Sequence, residues 1–229
     1  MKGALDYRSM KLEEALAPEV RDALRSAARI QHFNDGEMIY SEGDNAEDLL
    51  IIYAGSVRVG RVTTDGREMT TAVLGSGHLL GLVGMMVGKR VQSATANGET
   101  TVGRVARSEV DRLLGTHPDL AVQLLPVLAS RLQAAYDFIH DVKRLPGSVH
   151  TAAILEQMLD ASPEPNVIDW SQSDIALAVG NSRVSVGKAL KELERLGLIE
   201  LKYARVEVPD PQRLTEWVTE QRNNLLHGA

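Results

Sequence analysis

Leu12, Leu16, Val20 and Leu24 recur at helical spacing and predict a short amphipathic helix over residues 9–29. From Ile30 to about Arg107 the pattern changes to short β-rich runs broken by glycine. Glu37–Tyr40 ends at Ser41-Glu42-Gly43-Asp44, and Val57–Val62 and Met69–Leu74 flank Asp65-Gly66, a hairpin signal. After Gly75, Gly77, Gly81 and Gly84 come two further runs, Val91–Ala96 and Thr101–Ala106. Many short strands at this spacing predict a small antiparallel barrel or roll. Helical patterning then returns: Ser108–Leu114 reads as a short helix capped by Ser108, and His117-Pro118 opens a much longer one.

On that long helix Ala121, Leu125, Leu128, Leu132, Ala135, Ile139 and Val142 form a heptad seam of about three repeats. Such a period suits a helix packed on its own barrel as well as a seam between two copies. An uninterrupted helix between two domains favours the second. Pro146-Gly147 is a candidate hinge, Ser148–Ala161 a further helix, and Ser162–Pro165 a loop.

The clearest pattern lies between Ser171 and Asp210. A first apolar helix (Ile175, Leu177, Ala178, Val179) begins near Ser171 and Gln172 and stops at Gly180. In a second, Val186, Ala189, Leu190 and Leu193 share one face, and Val184, Lys188, Lys191 and Arg195 share the other. Leu198 to Val208 reads as two strands around Lys202-Tyr203, and Leu214–His227 as a final helix. Helix, glycine turn, helix and hairpin predict a winged helix-turn-helix, a DNA-binding form. The fold class is therefore α+β: a roll over 1–116, a dimerisation helix over 117–145 and a winged helix over 146–229.

Composition narrows the chemistry. The net charge of −6 argues against a generally basic coat, so any DNA contact has to come from a local patch. Residues 171–208 carry six Lys or Arg against five Asp or Glu, a local balance of +1 that permits salt-dependent phosphate binding. The absence of cysteine excludes thiolate metal sites and cysteine-ligated clusters. The six histidines show no metal-binding spacing, so no metal is expected. A P-loop, a nucleophile elbow, HExxH and a dinucleotide fingerprint are all missing, so catalysis is not expected. With no signal peptide in the first residues and no apolar run near the ~18 residues of a membrane span, the expected compartment is the cytoplasm.

A roll, a long helix and a winged helix in this order resemble the CRP/FNR family of bacterial transcription regulators. In the roll the resemblance rests on Gly36-Glu37-x-Ile39, Glu42-Gly43-Asp44 and Gly55-x-Val57. In the winged helix it rests on Leu177-Ala178, Gly180, Ser182-Arg183, Ser185-Val186, Lys188-Ala189-Leu190, Leu193 and Gly197-Leu198-Ile199. It implies a homodimer on palindromic double-stranded DNA, with RNA polymerase as a further partner. The implied DNA contacts are Ser171, Gln172, Ser182, Arg183, Val184, Ser185, Lys188 and Lys191, with Arg183 reading a base or a phosphate. Members that read the family's best-known half-site have Glu after this arginine. Val184 can make only apolar contact, for instance with a thymine methyl, so a different target is expected.

The implied effector pocket comprises Gly81, Leu82, Gln92, Ser93, Ala135 and Tyr136. Cyclic-nucleotide binders of the family carry Glu and Arg where this chain has Leu82 and Gln92, and polar groups where it has Ala135 and Tyr136. A buried phosphate without its arginine is costly, so cyclic AMP is not the expected ligand. Arg90 could substitute only after a local shift, strand alternation putting 90 and 92 on one side. Haem, used elsewhere in the family, is the lesser alternative through His78, although a lone histidine is more often packed or exposed. An iron–sulfur cluster is excluded. What remains is an apolar pocket (Leu79, Leu80, Leu82, Val83, Met85, Met86) for an unknown ligand, or a filled core in a protein controlled by its abundance. A cyclic-nucleotide regulatory subunit without DNA binding is the competing class, and the winged helix argues against it.

Overall fold

Pro18 splits the first predicted helix in two. The computed structural model describes residues 10–62, 68–162 and 164–227, and in it α1 spans Leu12–Ala15 and α2 Pro18–Ser26. Proline's fixed φ and missing N–H suit the first position of a new helix and not the interior of an old one. Leu12, Leu16, Val20 and Leu24 are nevertheless all buried in one core.

The chain forms two compact units, one from residues up to 59 and 74–137, the other from 60–73 and 138 onward. The strands that build the roll are β1 (Arg29–Phe33), β2 (Met38–Tyr40), β3 (Asp48–Val62), β4 (Glu68–Gly75) and β5 (Leu79–Leu80). After the short helix α3 (Leu82–Val87) comes β6 (Ser93–Ala106). Among the described residues the sheet runs β1-β6-β3-β4, with β2 on β6 and β5 on β3. The turn at Asp65-Gly66 lies outside the described residues.

The two runs predicted at Val91–Ala96 and Thr101–Ala106 are one strand. β6 is paired antiparallel at its start by β2 (Met38 opposite Thr95) and at its end by β1 (Phe33 opposite Thr100, Arg29 opposite Arg104). Gly98, at a φ of 71°, takes up the bend between them without ending the strand. Gly55 explains part of the roll motif: its φ is 77°, and a Cβ there would collide with the backbone of Glu99 and Thr100. Val57, two residues on, is fully buried.

The cap of helix α4 (Arg107–Thr116) is Ala106, two residues before the predicted Ser108 and without a side-chain cap; Ser108 lies inside the first turn. Helix α5 (Asp119–Arg144) then presents two apolar faces. Leu120, Leu124 and Val127 enter the roll core with Leu49, Ile51, Leu79 and Val105. Of the predicted seam, Ala121, Leu125, Leu132 and Ala135 are exposed and Leu128 is half-buried against the core. The side chains of Ile139 and Val142 lie outside the described residues.

The second unit contains α6 (Gly147–Asp160), β7 (Val167–Ile168), α7 (Gln172–Val179) and α8 (Arg183–Arg195). The strands β8 (Glu200–Lys202) and β9 (Arg205–Glu207) and the helix α9 (Pro211–His227) follow. Leu155, Ile168, Ile175, Leu190, Leu193, Ile199, Val206, Leu214 and Val218 form its core. The wing turns at Tyr203-Ala204, one residue later than predicted, because Lys202 pairs with Arg205 across the strands and Ala204 takes the left-handed conformation. The sheet order is β7-β9-β8; β7, two residues long, carries no periodic signal in the sequence.

Candidate DNA interface and sensor cluster

The start of α7 is held by a reciprocal cap. Ser171 Oγ accepts from the Asp174 N–H (3.2 Å) and donates to Asp174 Oδ2 (2.6 Å), while Asp174 Oδ2 takes the Ser171 N–H (3.3 Å). A hydroxyl has one proton, and Ser171 gives its own to Asp174. The exposed Gln172 beside it carries the remaining predicted side-chain contact on this helix. Gly180, at a φ of 69°, ends α7.

Two residues later Ser182 caps α8, accepting the Ser185 N–H at 3.1 Å, and the two hydroxyls lie 2.9 Å apart. This cap fixes where the outer face of α8 begins. Arg183, Val184, Lys188, Lys191 and Arg195 are all exposed, and Val184 is 70 % accessible. Among the described residues none of the four cations makes an ion pair. The reverse face, Val186, Ala189, Leu190 and Leu193, is buried. One helix thus anchors itself in the core while holding four cations and one apolar side chain outward.

The wing differs in charge. Lys202 Nζ lies 2.8 Å from Glu200, and Arg205 pairs with Glu207 at 2.7 Å. The free positive charge of the second unit's reader is therefore concentrated on α8. Tyr203, at the wing turn, is 99 % exposed. Sequence reasoning placed Lys202-Tyr203 at the wing turn and counted Lys202 and Arg205 as charge, but gave Tyr203 no contact role. An aromatic at a hairpin turn was the available signal.

The predicted effector residues differ in element and in burial. Gly81, left-handed, opens α3; Leu82 is buried in the roll core; Gln92 and Ser93 are half-buried; Ala135 and Tyr136 are exposed on α5. Ser93 Oγ accepts the Glu42 N–H at 2.9 Å, which ties β6 to the Glu42-Gly43-Asp44 turn. Of the predicted apolar lining, Leu79, Leu80, Leu82 and Met85 are buried, while Val83 and Met86 are exposed. His78 is buried, with Nδ1 2.9 Å from the Gly75 carbonyl. Among the described residues no group of three or more His, Cys, Asp or Glu could hold a metal ion.

The expected alternation between Arg90 and Gln92 does not apply, because both lie in the loop before β6 and not on a strand. Arg90 instead turns inward, its side chain only 2 % exposed. Its guanidinium pairs with Asp48 Oδ1, approaches the Gly81 carbonyl (3.5 Å) and stacks 4.3 Å from the centre of the Tyr40 ring. Arg104 takes the other Asp48 oxygen (2.7 Å) and also donates to Gln31 Oε1 and the Ile39 carbonyl. From α5, Arg131 donates to the Leu79 carbonyl at 3.3 Å. Burial raises the Tyr40 pKa, and the charges of Arg90, Arg131 and Arg104 oppose it. Burial lowers that of Arg131.

A strand-built roll followed by a winged helix with an exposed cationic face defines a DNA-binding transcription regulator carrying a sensor-type domain. Residues 30–117 match the cyclic nucleotide-binding domain, and residues 151–217 match the Crp-like helix-turn-helix domain. The chain belongs to the CRP/FNR family of transcription regulators. It is 30 % identical over 207 residues to the cyclic AMP receptor protein of Thermus thermophilus, covering 90 % of this chain and 95 % of that one. With the CRP-like cAMP-activated global transcriptional regulator of Mycobacterium tuberculosis it shares 29 % over 208 residues, 88 % of this chain and 93 % of the other. In fold it resembles FixK2 from Bradyrhizobium japonicum, with a TM-score of 0.73 at 24 % identity over 82 % of this chain and 96 % of that one. Among the described residues no helix is long and apolar enough to cross a membrane.

Proposed function

We propose that the chain acts in the cytoplasm as a homodimer on a two-fold symmetric DNA site, as a binding protein and not an enzyme, with RNA polymerase as a further partner. The outer face of α8 carries this reading: four exposed cations without ion pairs among the described residues, beginning at a capped N-terminus. Two such helices would enter successive major grooves about 34 Å apart. The exposed stripe on α5 supports pairing of two copies. Cyclic AMP, named for two of the relatives, is not proposed as the ligand, because Leu82 and Gln92 replace the expected Glu and Arg.

Arg183→Ala is expected to cost about 1–3 kcal/mol of specific binding and to relax preference at one base pair. Titrating labelled DNA in a band shift at several salt concentrations measures both the loss and the salt slope. Selection from random DNA tests Val184: the recovered half-site should differ from the one read by members with Glu at this position, and Val184→Glu should move the preference toward it. Recovery of that half-site unchanged by wild type would rule out this role for Val184. Absence of salt-sensitive, sequence-preferring binding would overturn the function itself.

A further inference from the structure

A helix that reads DNA with its first turn acts as a lever, and the far end of the lever has to be held. Helix α8 has 13 residues and is about 20 Å long, so a tilt of about 5° at its far end displaces Arg183 by about 2 Å. That shift exceeds what a hydrogen bond tolerates. The buried residues Val186, Ala189, Leu190 and Leu193 fix which face of α8 turns inward. Polar contacts from two other elements hold its end. Glu194 Oε1 accepts the Leu201 N–H of β8 at 3.0 Å. From the first turn of α9, Arg213 donates to the Leu196 carbonyl at 3.2 Å and to the Gly197 carbonyl at 3.4 Å. These carbonyls lie where the intrahelical ladder of α8 has run out, at the negative end of its dipole, and a guanidinium suits both conditions. Arg213 is itself placed by the start of α9. Asp210 Oδ1 accepts its N–H at 3.1 Å, and its neighbour Leu214 is fully buried in the core with Leu190 and Leu193.

We propose that Arg213 is a positioning residue for DNA reading, a clamp from α9 that fixes the tilt of α8 without touching the DNA. The inference rests on α8 being the reading helix, and it extends the reading unit past the wing into α9. The guanidinium engages two carbonyls at the end of α8 opposite Arg183 and Val184, which sets it apart from the outward cations of α8 itself. Base edges are read through directional hydrogen bonds, whereas phosphates are held largely by charge, which tolerates displacement. A loosened α8 therefore loses sequence preference and keeps its non-specific affinity.

Band shifts of the full chain at several salt concentrations test this, on a site selected from random DNA and on an unrelated duplex of equal length. Arg213→Ala is expected to weaken binding to the selected site about tenfold, the effect of about one lost base contact. Affinity for the unrelated duplex and the salt slope should stay as in wild type. Arg213→Lys, which keeps the charge and one donor group but not the fork, should weaken the selected site only about threefold. Partial unfolding would weaken both duplexes by the same factor, so it does not imitate this pattern. Equal losses on both duplexes, no loss on either, or Arg213→Lys as weak as Arg213→Ala would overturn the clamp. A salt slope lowered by about one would also overturn it, because Arg213 would then be a phosphate contact. A wild type without preference for any site overturns the DNA reading and the clamp together, whereas a preference that Arg213→Ala leaves intact removes the clamp alone.

Discussion

Leu132→Glu is expected to leave the fold intact and convert a dimer into a monomer. Leu132 is 56 % exposed and Leu125 60 %, on a stripe shared with Ala121 and Ala135, so a charge there meets water in the single chain. In a two-fold interface every contact occurs twice, so each dimer would bury two opposed carboxylates. The buried apolar contacts of α5 to the roll come from Leu120, Leu124 and Val127 on the other face, and Leu132 itself is exposed, so the roll core keeps its packing. Loss of the second reader removes the gain from two linked half-sites, about 10²–10⁴ in affinity. Sedimentation velocity reads the first effect and a band shift on a symmetric site the second. A variant that still sediments as a dimer would sink the seam.

Asp48→Asn should destabilise the roll by about 3 kcal/mol and lower Tm by about 6–12 °C. Its carboxylate bridges Arg90, almost wholly buried, and Arg104. Removing one charge of a buried pair leaves the other uncompensated, and that penalty exceeds what the pair contributed. The lower end of the usual range applies because Asp48 itself remains partly exposed. The wing provides the comparison. Glu200→Gln breaks the exposed pair with Lys202 and should leave stability almost unchanged, because water screens the pair. Urea unfolding of the two variants measures the contrast, and an equal, small effect at both positions would show that Arg90 is not held by Asp48.

Local pattern was enough wherever an element's neighbours in space are also its neighbours in sequence. The two faces of α8 and the glycine stop of α7 follow from residues within one or two turns. The roll was less legible. A proline in an apolar stripe made two helices of one, and pairing at both ends made one strand of two. Neither outcome depends on local propensity alone: the first needs the chain to turn back onto the core, and the second needs partners about 60 residues away.

The sequence by itself determined the order of domains, the buried and outward faces of the reading helix, and the family to which the chain belongs. Tertiary structure alone decided the charge inside the roll. Tyr40, Asp48, Arg90, Arg104 and Arg131 come from three strands or their edges, a loop and a helix, and no period connects them. Their pairing follows from burial, because a guanidinium removed from water must find an oxygen. Which oxygens are within reach is fixed only when the sheet closes. Sequence reasoning read position 92 for the arginine and allowed Arg90 only after a shift; the fold buries Arg90 against Asp48 and the Tyr40 ring.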